Sequence, residues 1–387
     1  MKKLFVIGMA VLLLVVFTMP AMAKVKIGGI VFTDFYYIDR NKQNAGALGA
    51  PAKDTTTYTR IEVPSITRLY ARWTNEDNVG MYIEFGLMGG NGDNQASIRH
   101  AYGWWDVTPM FQLMAGHSTT PFSPLNPSQL LGTQSGSLNI IGAGYGEFYS
   151  GRFPQVRGTF RFGKSVRLEI ALCDPYRGTN AAVGQTGTNS SKIPRVDIGV
   201  PIYAGPVRIY PSFLYSKKSL DNVTPAGSDS TITTYVGSLG AKAGFGPFGI
   251  ALEGQWGKNW GNTSGLIGTT AFNNQAVTLA RAVLLNNNEI YDAETYGVWI
   301  DLSYKFGPVT PHFMYGQMKT KSKIAANLNT EAKSQMFGFS VPIGLAKGFS
   351  IRPEVMWYDN GDLSVDTQQG TDLGKYLIAG VQFQITF

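Results

Sequence analysis

Arginines at alternate positions are the first chemistry this sequence offers. Arg60, Arg68 and Arg72 share one parity with Glu62, while Ile61, Val63, Leu69, Ala71 and Trp73 share the other. Arg157 and Arg161 stand with Gln155 and Thr159, opposite Val156, Phe160 and Phe162. Arg99, Arg167, Arg195, Arg208 and Lys242 take the polar parity of their own segments. Successive side chains of an extended chain point to opposite faces, so such rows lie on one wall. A guanidinium is permanently charged and presents a planar fork of donors to carboxylate or phosphate. A row of them along a water-filled passage favours anions. Glu62, Glu84, Glu169, Asp197, Glu253, Asp301 and Glu354 fall on the same parity as the basic residues. So many charges in a dry core would be prohibitive without pairing. A wet interior removes that objection, and Arg60, Arg68, Arg72, Arg99, Arg157, Arg161 and Arg167, with Glu62, are the expected lining of its narrowest part.

Catalytic and cofactor chemistry is thin by comparison. Ser118 adjoins His117, the pair a surface lipase would need, but no oriented third group accompanies them. His100 and His312 read as wall residues, and no His/Cys/Asp cluster has metal-ligand spacing. Gly86–Gly92 is glycine-rich, but a strand follows it, so it is no phosphate loop. The single cysteine, Cys173, excludes disulfide staples, Cys-rich zinc modules and a covalently attached c-type haem. No basic run suggests nucleic acid. The sequence therefore predicts no enzyme, no cofactor and no metal.

The elements that must position these residues are strands. Of 387 residues, 15% are charged, against roughly 25% in an ordinary soluble domain. Mean hydropathy is near zero, and glycine reaches 46 residues. Strict alternation produces such averages, because half the side chains are apolar and half polar. Leu377, Ala379, Val381, Phe383, Ile385 and Phe387 oppose Ile378, Gly380, Gln382, Gln384 and Thr386. About sixteen strands are expected, with fourteen or eighteen as the alternatives, at roughly 25–38, 58–74, 79–88, 96–106, 111–117, 152–162, 166–173, 193–203, 207–216, 232–243, 249–257, 294–306, 309–318, 334–343, 349–358 and 373–387. Short turns alternate with long polar connections, the latter including 41–57, 118–150, 174–191, 217–231, 258–293, 319–333 and 359–372. A sandwich has no reason to place its long loops at every second connection. A barrel crossing an outer membrane has one. A spanning sheet cannot leave unpaired edge groups in hydrocarbon, so it must close. The fold class is thus all-β: a transmembrane antiparallel up-and-down barrel. Tyr36, Tyr37, Trp73, Trp104, Trp105, Phe306, Trp357, Tyr358 and Phe387 near strand ends suit the membrane interfaces. A helix-compatible stretch, Asn274–Leu285, interrupts the longest loop.

The first 23 residues read as an export signal. Lys2 and Lys3 precede an apolar run, and Ala21-Met22-Ala23 is a small-residue cleavage site. Its two lysines are its only charges, so the remaining barrel, 24–387, carries +5 of the formal +7.

The cleavage signal, the alternating strands and the terminal VQFQITF of Val381–Phe387 together resemble the Gram-negative outer-membrane porins. The stretch from Gly116 to Pro127, GHSTTPFSPLNP, looks like the entry to the constriction loop that follows the fifth strand in many of them. The resemblance implies a passive channel for small anionic or neutral hydrophilic solutes, embedded in outer-membrane lipids and often trimeric. It also implies that the barrel-assembly machinery reads the C-terminal strand ending at Phe387. Cation-preferring members usually carry several acids in the constriction loop; Ser118–Ser150 holds one charged residue, Glu147, expected at the pore. A mild anion preference follows, the alternative being a near-neutral passage in which the arginines and acids pair off and only rigidify the wall. The other reading is a barrel scaffold sheathing a partner such as a multihaem cytochrome, which the absence of haem motifs would require.

Overall fold

The structure is a computed structural model that describes residues 24–41, 43–44, 52–53, 56–87, 96–128, 142, 144–175, 188–223, 228–263, 274–284, 290–325, 328–366 and 368–387. The expected export signal, 1–23, lies outside them, as do parts of the long loops.

Among the described residues, sixteen antiparallel strands close into one barrel. They are β1 (Lys24–Asn41), β2 (Thr56–Glu62, resumed at Arg68–Thr74), β3 (Val79–Gly86), β4 (Ser97–Thr108), β5 (Phe111–Thr119), β6 (Arg152–Phe162), β7 (Val166–Cys173) and β8 (Arg195–Gly199, resumed at Ile202–Ala204). There follow β9 (Val207–Val223), β10 (Ser228–Phe245), β11 (Phe248–Lys258), β12 (Glu294–Tyr304), β13 (His312–Ala325), β14 (Leu328–Ser340, with Ile343–Ala346), β15 (Phe349–Asp359, with Asp362–Val365) and β16 (Gln368–Asp372, with Lys375–Thr386). Each pairs with its sequence neighbour. β16 returns to β1 in a register running from Ile30↔Thr386 to Asn41↔Lys375, and Phe387 N–H donates to the Gly29 carbonyl at 3.1 Å. That seam removes the edges that lipid could not satisfy.

Alternation sets the two faces. Ile61 is 73% exposed and Ile98 58%, and Phe35, Leu113, Phe160, Phe213, Leu239, Val298, Phe339, Val355 and Phe383 are exposed with them on the outer face. Apolar side chains exposed around a whole barrel make it a membrane surface. Trp105, Phe162, Phe245, Phe248, Tyr304 and Phe306 stand exposed beside the short turns, as one interface girdle. Three of the expected girdle residues do otherwise: Tyr36, Trp104 and Tyr358 have inward parity and are buried inside the barrel.

Three local departures from the sequence reading have physical causes. The second strand is not continuous, because Pro64 supplies no N–H; the chain turns at 63–67, and the Thr67 hydroxyl bonds both the N–H and the carbonyl of Phe32 across the gap. A register shift between β3 and β4 at Glu84/Phe85 bulges β4, so Arg99 and His100 both reach the interior. The connections at 217–231, 319–333 and 359–372 are largely paired strand, as in Lys217↔Thr233, Lys321↔Glu331 and Asp362↔Asp372. Beyond the bilayer both faces are polar, so alternation fades while the ladder continues.

A candidate constriction inside the barrel

The connection between β5 and β6 folds inward. Its outgoing limb follows the inner wall: the Ser123 N–H donates to Ser212 on β9 (3.1 Å), the Ser123 hydroxyl to Glu253 on β11 (3.1 Å), and the Ser128 N–H to Asp301 on β12 (2.8 Å). Arg352 on β15 closes this limb on the Ser128 carbonyl at 2.5 Å. On the return limb the Tyr145 ring packs 4.8 Å from Tyr358 and its hydroxyl donates to Asn360 at 2.7 Å. Phe148 stacks on Trp260 at 4.7 Å, and Arg195 donates to the Ser150 hydroxyl at 2.5 Å. Arg195 is itself buried, bound by Asp197 through Nε (2.7 Å) and Nη2 (2.6 Å) and to the Thr263 carbonyl at 3.0 Å, so one guanidinium ties two loops to β8.

Glycines make this docking possible. A Cβ on Gly316 would strike the Tyr145 carbonyl, one on Gly297 the Gly146 carbonyl, and one on Gly240 would lie 3.0 Å from Leu125. Beside this loop a short helix, α1 (Gln275–Thr278), buries Ala276 and Val277 against the same wall, and Thr320 on β13 donates to the Ala276 carbonyl at 2.6 Å. It falls within the helix-compatible stretch of the longest loop.

The consequence is a divided interior. On the β8–β16 side, Leu214, Val236, Met314, Met318, Met336 and Met356 point inward and are buried under the loops. This half is dry, contrary to the expectation of a wet interior throughout. Four expected lumen acids, Asp197, Glu253, Asp301 and Glu354, are buried here. Glu147, expected at the pore, is 0% exposed between loop and wall. Its burial, with the Glu253 charge nearby, pushes its carboxyl well above the usual carboxylate range.

The opposite wall, β1–β7, keeps the arginines. Arg60 meets Glu62 at 3.4 Å, Arg68 meets Glu84 at 3.5 Å, Arg157 meets Glu169 at 3.7 Å and Arg161 meets Asp106 at 2.7 Å. Arg99 is buried on Glu84 at 2.7 Å, so it braces the wall from behind. Arg72 and Arg167 are exposed and have no carboxylate partner among the described residues. Lys26, opposite Arg72 in register, adds a cation of inward parity beyond those expected from the sequence, and Arg208 and Lys242, paired on β9 and β10, stay exposed near the short turns of the other half. Their parity was legible, but not which acids the loop would cover.

Ser118 does not pair with His117 but with His100, at 3.1 Å. Arg152 Nε–H can only donate to His100 Nε2 (3.1 Å), which leaves the ring proton on Nδ1, pointed at the Ser118 oxygen. That is the wrong direction for a general base. Among the described residues no His/Cys/Asp/Glu group could hold a metal ion.

The sequence profile of the Gram-negative porins matches residues 10–363. No curated protein matches the chain. Among solved structures, the outer-membrane channel DcaP of Acinetobacter baumannii is similar at TM-score 0.67 and 17% identity, covering 95% of this chain and 99% of its own. The anion-selective porin of Comamonas acidovorans is similar at TM-score 0.62 and 14% identity, covering 94% and 100%. OmpT of Vibrio cholerae, in a trimer form, is similar at TM-score 0.57 and 12% identity, covering 94% and 99%.

Proposed function

The chain belongs to the Gram-negative porin family, and from that premise we propose that its passive channel favours anions. Diffusion of small hydrophilic solutes through an outer-membrane barrel is the family's activity, and the fold is that of channels rather than enzymes. The observation that carries the selectivity reading is the asymmetric burial. Asp197, Glu253, Asp301, Glu354 and Glu147 are buried on the β8–β16 side, with only Arg195 and Lys218, among the described residues, as fully buried cations beside them, while Arg60, Arg68, Arg72, Arg157, Arg161 and Arg167 remain on the open wall with Glu62, Asp106 and Glu169. Fixed positive charge along an aqueous bore lowers the barrier to anions and raises it to cations.

The scaffold reading is not favoured by the family match and the structural likenesses. We further infer export by residues 1–23, insertion through the C-terminal strand ending at Phe387, with the short turns in the periplasm, and assembly as a homotrimer in outer-membrane lipids. The OmpT likeness supports the last of these.

Purified protein in a planar bilayer under a tenfold KCl gradient tests the selectivity. A reversal potential of the sign set by chloride is expected, moving toward zero in Arg72→Gln with Arg167→Gln. A potential set by potassium in the parent protein overturns the reading.

A further inference from the structure

The open wall carries more aromatic surface than a simple ion passage requires. Tyr70, Tyr82, Tyr102 and Trp104 have inward parity on β2, β3 and β4 and form an unbroken row, with ring centroids 6.0, 5.7 and 6.0 Å apart. His100 meets Tyr82 edge-on at 5.8 Å. The three tyrosines are half-buried, so each leaves ring surface toward the bore. They are also held in place. The Tyr82 hydroxyl donates to Glu84 at 2.6 Å, and Arg99 fixes that carboxylate at 2.7 Å.

Two guanidiniums bracket this row, Arg72 exposed and Arg157 half-buried. Arg72 lies over Trp104 at 4.8 Å and has no carboxylate partner among the described residues. Arg157 comes from the other side, 3.7 Å from its nearest carboxylate, Glu169, and so beyond hydrogen-bond length of it. In register, Arg72 faces Tyr82, Tyr82 faces Tyr102, and Tyr102 faces Gly116, which places no side chain beside it.

We propose that the Tyr82–Tyr102 surface between Arg72 and Arg157 is a transient subsite for planar aromatic carboxylates. The carboxylate takes guanidinium donors that the wall leaves unfilled, and the ring stacks on tyrosine faces. A purely electrostatic wall treats acids of one charge and similar size alike; this wall separates them by the flatness of the ring. The binding is weak, as passage demands. The proposal rests on the anion preference argued above and names a solute class for that same passage.

The test compares benzoate with cyclohexanecarboxylate, equal in charge and close in size, as blockers of chloride current through single channels. Benzoate is expected to block at a concentration lower by about two- to tenfold, the range of a tyrosine–ring contact. Tyr82→Leu with Tyr102→Leu is expected to abolish the difference; Tyr102→Leu alone, expected to reduce it, serves if the double variant fails to fold. Equal block by the two acids, or a difference that survives loss of both rings, overturns the subsite. The reversal potential on the same membranes keeps the two readings apart. A chloride-set potential with equal block removes only the subsite, and a potassium-set potential removes both.

Discussion

At Glu147 the carboxyl is held away from water, so its folded pKa lies well above the usual carboxylate range, through burial first and the Glu253 charge second. The sign of the linkage follows. In the unfolded chain the group releases its proton near its ordinary pKa, whereas in the docked loop it keeps it, so the folded state binds more protons in between and stability falls as pH rises through that interval. Heat-unfolding midpoints in detergent, measured from about pH 5 to about pH 9, should therefore fall more steeply for the parent protein than for Glu147→Gln, which carries no proton to lose. Equal slopes would show that Glu147 does not titrate against the wall. The sequence marked Glu147 as the one charge of the loop. It could not tell whether that charge meets water, because exposure depends on a wall far away in the chain. Arg72 and Arg167 carry the polar parity of their strands and are exposed, since parity is local; that they line the passage is part of the proposal. Arg99 was read the same way, but the β4 bulge lets it turn behind Glu84.

The strands were legible one by one, since each carries its own two-face pattern over about 9–11 residues. The loop was legible only as an entry motif after β5. Its course is decided by the wall it meets, where Gly297 and Gly316 leave backbone bare against Gly146 and Tyr145. Gly316→Val is therefore expected to push the loop off β13 without breaking the ladder, since valine suits a strand. Overpacking of this kind costs about 1–3 kcal/mol. The barrel should keep its β-sheet circular dichroism, while single-channel conductance rises or becomes noisy. Unchanged, quiet conductance would mean that the loop does not constrict the passage. The same reasoning accounts for part of a glycine content of 46 residues, which the sequence presents only as an average of two faces. Several of these glycines serve the inner docking face.

The whole molecule is a closed wall with lipid outside and an interior shared unequally between a dry core and a charged passage. Its exposed outer band suits either lipid or an identical neighbour, and the homotrimer proposed above predicts a mass near three chains when unheated protein is sized in mild detergent, falling to one chain on boiling. A single-chain mass before heating would overturn it. What the sequence determined by itself was the class of object: strands with two unlike faces and turns of alternating length permit a membrane barrel, because alternation is a nearest-neighbour property and an open edge cannot survive in hydrocarbon. What only the tertiary structure decided was which inward residues meet water. Asp301 and Arg72 both carry charge on the polar parity of their strands, yet Asp301 is buried under Ser128 and Arg72 is exposed. That difference comes from a loop some 170 residues before Asp301, folding across a wall that exists only once all the strands have closed.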